Sequence, residues 1–399
     1  MKSRDSRLDC YTPGIAVLAL ILASLLALLL AGSWVYCLLM MIAARSYLAA
    51  RVPTSQHTEP ISVLKPLHGL DEGLEENLRS FFLQDYPDFE LLFAARYADD
   101  PCWTIVDRLC SEYPAIPCRR FVTGEPPYPN AKVYSVAMML EAANHDLVVM
   151  SDSDIRVGPE MLGTLAAEFS PGTVGVATCP YRAVPGGSFW SLLEALGMNT
   201  EFWGGCLTAR LVERGVKFAV GPTSVARRSV LQAIGGFERF REYLAEDFVM
   251  GQFAAEAGYG VILSSYVVEH RIGAQSWRPN FGHRLRWNRS SRRSRPAGYV
   301  GQLFTNPLPL SLLLVAVSPS LWPVLIPTAL LRGLAAQAVA RRVLHDSLSA
   351  RYWFLIPVQD LLSFAFWIAG FFGNTIEWRG RKYWLRRDGR FELVVENRS

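Results

Sequence analysis

Gly14 to Ala44 contains no charged residue. At about 31 residues, the run is longer than the roughly 20 that a helix needs to cross the hydrocarbon core of a bilayer. Lipid offers no partner to backbone N–H and C=O groups, so such a segment must satisfy them internally, as a helix does. The remaining chain must then be arranged around a membrane anchor. A cleaved signal peptide has an apolar core of only about 7–15 residues, too short to account for this run. Lys2, Arg4 and Arg7 precede it, and Arg45, Arg51 and Lys65 follow, so the positive-inside rule gives no orientation.

The C-terminal third is apolar again. Leu303 to Leu331 carries Pro307, Pro309, Pro319, Pro323 and Pro327. Each proline removes a backbone donor, which predicts two short, broken or re-entrant segments. Arg351 to Phe372 reads as a cleaner span, for a total of three or four membrane segments. The chain thus divides into an N-terminal anchor (1–51), a central domain (52–300), C-terminal membrane segments (301–375) and a basic tail (376–399). The tail residues Arg379, Arg381, Lys382, Arg386, Arg387 and Arg390 favour the cytoplasmic side.

Half of the chain is hydrophobic and the net charge is +4. The positive peaks, Arg284 to Arg295 and Arg379 to Arg390, lie beside apolar or tryptophan-rich sequence. They point to a membrane surface or a phosphorylated ligand, and not to nucleic acid, for which no reading motif is present. The seven cysteines, among them Cys10, form no Cys-x-x-Cys pair or zinc spacing. Reduced, cytosol-facing thiols are expected.

The central domain alternates strands and helices. Ile61 to Leu64, Phe89 to Ala95, Arg119 to Val122 and Leu147 to Met150 read as strands. Leu74 to Leu83, Thr104 to Tyr113 and Lys132 to Ala143 read as helices. That order predicts an α/β fold with a mostly parallel sheet covered on both faces. Neither a Gly-x-Gly-x-x-Gly fingerprint nor a P-loop is present.

Carboxylates collect where such a sheet binds ligands, outside the C-terminal ends of its strands. The run Leu147-Val-Val-Met-Ser151 ends in Asp152-Ser-Asp154. Two alternate carboxylates at a strand end can share one hard divalent cation, which suits a diphosphate; a solvated turn is the plainer reading. Asp99 and Asp100 follow the second strand. Glu246 and Asp247 open an amphipathic stretch running to Ala257, where helix capping is the competing explanation. Gly282-His283-Arg-Leu-Arg286-Trp287-Asn-Arg289 reads either as a phosphate-binding element or as a basic membrane-surface helix. Lys132 either reaches phosphates or is a solvated lysine at a helix start. Residues 188–211, apolar and aromatic but interrupted by Glu194 and Glu201, suit a helix in the membrane interface, with a buried core helix as the alternative.

Taken together and in order, strand-Lys-Pro, Asp-Asp-Pro, Asp-Ser-Asp-Ile-Arg, Ala-Glu-Asp and Arg-Trp resemble inverting, processive-type family 2 and 21 glycosyltransferases. The chain looks most like the ceramide glucosyltransferases and their bacterial relatives, including hopanoid-associated glycosyltransferases. Ile376-Glu-Trp378-Arg379-Gly-Arg381 is similar to that family's C-terminal end. The resemblance implies a GT-A catalytic domain. It implies nucleotide contacts from Asp99 or Asp100, cation binding by Asp152 with Asp154, and a general-base role for Asp247. It also implies substrate contacts from Arg286 and Trp287. His283 stands where the family has Gln or Arg.

The implied reaction transfers a hexose from a UDP-sugar to a membrane lipid hydroxyl, either ceramide or a hopanoid polyol, with Mn²⁺ or Mg²⁺ as cofactor. Asp152 and Asp154 with the cation would hold the diphosphate. Arg286, assisted by Arg284 or Arg289, would add guanidinium contacts. Trp287 would stack on a base, a sugar or a lipid headgroup, or anchor the membrane interface. The apolar segments imply an integral, multi-pass protein, and a nucleotide-sugar donor implies that its catalytic domain faces the cytoplasm. A processive polysaccharide synthase and a non-catalytic lipid- or sugar-nucleotide-binding protein are the competing readings.

Overall fold

The computed structural model describes residues 12–50, 58–170 and 172–394. Cys10, Lys2, Arg4, Arg7 and Arg51, which entered the reading above, lie outside the described residues. The six described cysteines are free thiols.

Thr12–Leu48 is one continuous helix. Three helices are long and apolar enough to cross a membrane, Gly14–Leu48, Pro319–Ala340 and Trp353–Gly370. A fourth exists if Pro296–Thr305 and Pro307–Val317, bent by 64° at their junction, form one span. These helices mark a membrane protein. Pro296, Pro307 and Pro319 each stand in the opening turn of a helical segment, where their missing N–H has no intrahelical role. The prolines therefore break the apolar stretch into pieces without breaking its helices internally at those points. Between the last two spans, Arg332 and Asp360 form a buried two-pronged ion pair with both contacts at 2.8 Å. Charges at this depth persist only when paired.

In chain order the strands are β1 (Ile61–Pro66), β2 (Phe89–Ala95), β3 (Cys118–Val122), β4 (Leu147–Ser151), β5 (Ile155–Arg156), β6 (Val174–Thr178), β7 (Tyr181–Pro185), β8 (Thr223–Arg227), β9 (Gly260–Leu263), β10 (Val268–Ile272), β11 (Thr375–Trp378), β12 (Arg381–Leu385) and β13 (Phe391–Leu393). Seven of them build the main sheet in the order β3-β2-β1-β4-β8-β6-β9. Pairing is parallel except where β8 runs against β4 and β6. The apolar runs in β1, β2 and β4 are buried along nearly their whole length because helices cover both faces. From β1 the chain order proceeds to β2 on one side and to β4 on the other. The crevice at the C-terminal ends of β1 and β4 is thus the switch point where such sheets take ligands.

Residues 188–211 are mostly packed inside the protein, which favours the buried-core alternative, although Phe189 is exposed. Phe189–Gly197 and Trp203–Val212 join through a π-helical turn at Met198–Phe202. Leu193, Glu194, Leu196, Trp203 and Leu207 are buried. The segment lies between β7 and the helices Thr12–Leu48, Leu325–Ala340 and Ile356–Gly370. It is apolar nearly all round because it has protein on several sides.

The segment expected as a basic tail folds, over Thr375–Leu393, into a three-stranded sheet. Ile376, Tyr383, Leu385 and Phe391 cluster with Leu244 of the central domain. A bridge between Tyr243 and Arg390 and the 2.8 Å bond from Phe391 N to Glu242 O dock it there. The other basic peak lies on the helix Trp277–Ser294. Arg289 donates to the carbonyls of Phe372 and Thr375, and Arg292 to those of Phe371 and Gly373. Those carbonyls run from the cap of the last span, Phe371, through the turn into β11. These arginines are therefore committed to the protein's own backbone, and not to a lipid surface or a phosphate.

Candidate active site

The turn after β4 is held from several sides. Asp152 N donates to Pro222 O at 3.0 Å, and Asp154 O accepts from Arg271 N at 2.8 Å. Asn77 Nδ2 reaches Ser153 O at 3.3 Å. Lys65, at the end of β1 and fully buried, donates to Asp152 O and lies 4.0 Å from the centre of the Phe81 ring. Burial lowers its pKa to about 7, although Asp152, Asp154 and Asp71 oppose the shift.

Asp154 Oδ2 lies 3.1 Å from His270 Nε2, while its Oδ1 is buried with no hydrogen-bond partner. Burial opposes ionisation of Asp154, but His270, Lys65 and Lys132 more than offset it and hold the carboxyl below its ordinary range. Among the described residues, no group of three or more His, Cys, Asp or Glu side chains forms a metal cage. A cation that takes one or two carboxylates and completes its shell with substrate phosphates needs no such cage. The unpartnered Asp154 oxygen and the neighbouring Asp152 fit that kind of site.

Lys132 comes from the helix Ala131–Ala142. Asn130 caps this helix, accepting from Val133 N at 3.1 Å, and its Nδ2 binds Tyr243 O at 2.8 Å and Glu246 at 3.2 Å. The cap thereby ties the start of this helix to the start of the helix Glu246–Glu256. A lysine in a first helical turn is opposed by the helix dipole. Here carboxylates surround it, with Nζ 2.7 Å from Asp152 Oδ1 and 3.4 Å from Glu246 Oε1. Burial opposes its charge, yet Asp152 and Glu246 raise its pKa above the ordinary lysine value.

Asp247 opens the same helix as Glu246. A Cβ on Gly221 would sit 3.0 Å from Asp247 Oδ2, so a larger residue there would crowd that carboxylate. Gly251 likewise allows the helix to press on Phe218 and Ala219, where a Cβ would meet backbone at 2.3 Å. Burial and the neighbouring Glu246 push Asp247 up to about 7, against the pull of Lys132.

The other expected residues ring this centre or support it. Asp99 is exposed. Asp100 is buried and accepts from Gly69 N at 3.1 Å and Cys102 N at 3.0 Å, tying the loops after β1 and β2 together. Arg286 lies in the electrostatic field of Glu246, Glu194 and Arg379. His283 binds the buried Glu194 at 2.7 Å. Trp287 packs against Phe202 and His283, with centroids at 5.9 and 5.2 Å. Neither assistant expected for Arg286 is available: Arg289 is committed as above, and Arg284 lies 3.3 Å from Ser363 Oγ and stacks on Phe366 at 4.7 Å.

Sequence reasoning paired Glu246 with Asp247 but gave it no role of its own, and it assigned no role to Lys65 or His270. Only Lys65 carried a local signal, a cation ending an otherwise apolar strand. His270 reaches Asp154 only because β10 pairs with β5.

Two curated relatives are the ceramide glucosyltransferases 1 and 3 of Caenorhabditis elegans. They are 31% and 29% identical over 52% and 58% of this chain. The chain spans about half the length of these relatives, 44% and 52% respectively. Among solved structures, a mannosyltransferase from Pyrobaculum calidifontis, in complex with GDP-Man and Mn²⁺, superposes with a TM-score of 0.54 at 18% identity. That match covers 88% of this chain and 97% of the other. It shows the shared fold, the GT-A architecture expected above. The description of glycosyl transferase family 21 matches residues 24–391. A match across that length, from the first spanning helix to the C-terminal sheet, places this chain in glycosyl transferase family 21.

Proposed function

We propose that this protein is a membrane-bound inverting glycosyltransferase that moves a hexose from a UDP-sugar to a lipid hydroxyl, with ceramide as the acceptor. One observation carries the reading. Asp247 stands half-buried on the helix that also carries Glu246, with Lys132 bridging from Glu246 to Asp152, and desolvation together with Glu246 raises its pKa to about 7. A base is most effective when its pKa lies near that pH.

In the proposed reaction, the acceptor oxygen attacks C1 of the sugar and its proton passes to Asp247. The bond from C1 to the diphosphate breaks, and UDP leaves with the electron pair. A single in-line displacement inverts the configuration at C1. The diphosphate leaving group gains negative charge at that moment. Lys132 and Arg286 would stabilise that charge. Asp152 and Asp154 would hold Mn²⁺ or Mg²⁺, which when bound supplies Lewis-acid stabilisation of the leaving group. The turn carrying Asp99 and Asp100 would receive the nucleotide.

The relatives' name and the spanning helices support a lipid acceptor. A UDP-sugar donor and free thiols support a catalytic domain on the cytoplasmic side, with the chain crossing the membrane more than once.

The test is mass spectrometry of lipids from membranes holding the full chain, supplied with UDP-glucose, UDP-N-acetylglucosamine, Mn²⁺, ceramide and bacteriohopane polyol. The expected product is a hexosylceramide. A glycosylated hopanoid would reassign the acceptor, and the absence of any lipid product would overturn the reading.

A further inference from the structure

The β11–β12 hairpin closes through two residues, Arg379 and Gly380, between paired Trp378 and Arg381. Both have positive φ, 49° and 73°. A two-residue hairpin loop with both φ positive favours asparagine followed by glycine. Arginine in the first position is strained, and strain of this kind gathers at functional sites.

The guanidinium of Arg379 lies 5.9 Å from the Trp378 ring centre, and that of Arg286 lies 5.8 Å from the same ring. Two cations from distant parts of the chain thus meet at one indole. Other arginines nearby are engaged: Arg289 and Arg292 with backbone carbonyls, Arg381 with Glu125, and Arg390 with Glu242. Arg286 and Arg379, by contrast, have no hydrogen-bond acceptor or ion-pair partner among the described residues.

Arg379, exposed at the tip of the hairpin, lies within the electrostatic reach of the crevice carboxylates. Asp152, Asp71 and Asp154 act on Arg379. Burial, together with the like charge of Arg379, lowers Arg286 to about 10. Two adjacent unpaired guanidiniums form a poor site for themselves and a good one for an anion with several oxygens. Guanidinium forks match phosphate geometry bidentately, and the indole face keeps the forks oriented.

We propose that the C-terminal hairpin is part of the donor site, and that Arg379 together with Arg286 receives the diphosphate of the nucleotide sugar, in an arrangement organised by Trp378. This rests on the glycosyltransferase reading above and adds a binding residue to it. The sheet β11–β13 then serves to carry Arg379 to the crevice. Its docking through Leu244, Tyr243 and Glu242 places it beside the helix that bears Asp247.

The experiment uses the full chain in nanodiscs. It measures the affinity for UDP, UMP, uridine and inorganic pyrophosphate in wild type, Arg379→Ala, Arg379→Lys and the control Arg387→Ala, with a melting curve for each. Arg379→Ala should weaken UDP and pyrophosphate by about 10- to 100-fold, the range for a charged hydrogen bond. UMP and uridine should change by less than about threefold, and melting should match wild type. Arg379→Lys should fall between, because lysine keeps the charge without the fork. Arg387→Ala should equal wild type. If Arg379→Ala binds UDP as wild type does, the hairpin proposal fails while the donor-site reading stands. Equal loss of UDP and uridine with a lowered melting temperature would also overturn it, by showing a structural role. A wild-type protein that binds no UDP would overturn the glycosyltransferase reading itself, and this proposal with it.

Discussion

Nζ of Lys132 stands 2.7 Å from Oδ1 of Asp152, and the same atom lies 3.4 Å from Oε1 of Glu246. One ammonium thus couples the carboxylate at the end of β4 to the helix that carries Asp247. Lys132→Met should remove a phosphate-binding charge and leave three carboxylates uncompensated. The KM for the donor should rise by about tenfold, as for loss of a charged contact. Because Lys132 lowers the pKa of Asp247, the acid limb of the pH profile should move to higher pH. Donor saturation curves at several pH values measure both effects.

Asp247→Asn keeps the side-chain shape and removes the base. Transfer should fall by about 10²- to 10⁴-fold. UDP affinity should stay within about threefold of wild type, since the change removes an interaction of the transition state. Single-turnover kinetics beside UDP titration separates the two. Near-normal transfer would remove Asp247 from the base role.

The same carboxyl sets a pH dependence with a defined sign. Burial raises Asp247 to about 7, and the base acts only when ionised. kcat/KM should therefore rise as pH increases through about 7. Stability should run the other way. An unfolded aspartate ionises near ~3.9, so the contribution of Asp247 is fully present below that value and is lost as pH rises through about 7. Asp247→Asn should accordingly melt at a higher temperature than wild type at pH 8, with little difference at pH 4.

Asp154 offers a buried oxygen without a partner. Chelation should abolish transfer, and Mn²⁺ should restore it. In Asp154→Asn, the Mn²⁺ concentration giving half-maximal activity should rise by about tenfold or more, consistent with loss of a charged ligand. An unchanged metal titration would assign the cation to other groups.

The pair Arg332–Asp360 joins two spanning helices. Arg332→Met leaves a buried carboxylate alone and should cost about 3–5 kcal/mol. The double variant Arg332→Met, Asp360→Leu should recover most of that loss, because both charges are then gone. Thermal denaturation of the three proteins in one detergent tests the cycle.

The sequence by itself determined the membrane anchor, the alternating α/β order, and the strand ends where Asp100 and Asp152 stand. These depend on periodicities of about ten residues or on the length of an uncharged run, and both are local. It also singled out Lys132 and Asp247, because a charge beside a helix start stands out against an apolar background. Only the tertiary structure decided what those charges meet. Whether Arg289 faces lipid or the carbonyls of Phe372 and Thr375 depends on a neighbour more than 80 positions away. Arg379, read as one charge in a basic tail, stands on a folded hairpin because Phe391 and Leu385 pack with Leu244. Residues 188–211 looked interfacial because their composition is apolar. Their burial follows from having the sheet domain on one side and spanning helices on another. Charge and hydropathy state what a residue needs, and long-range packing settles which group supplies it.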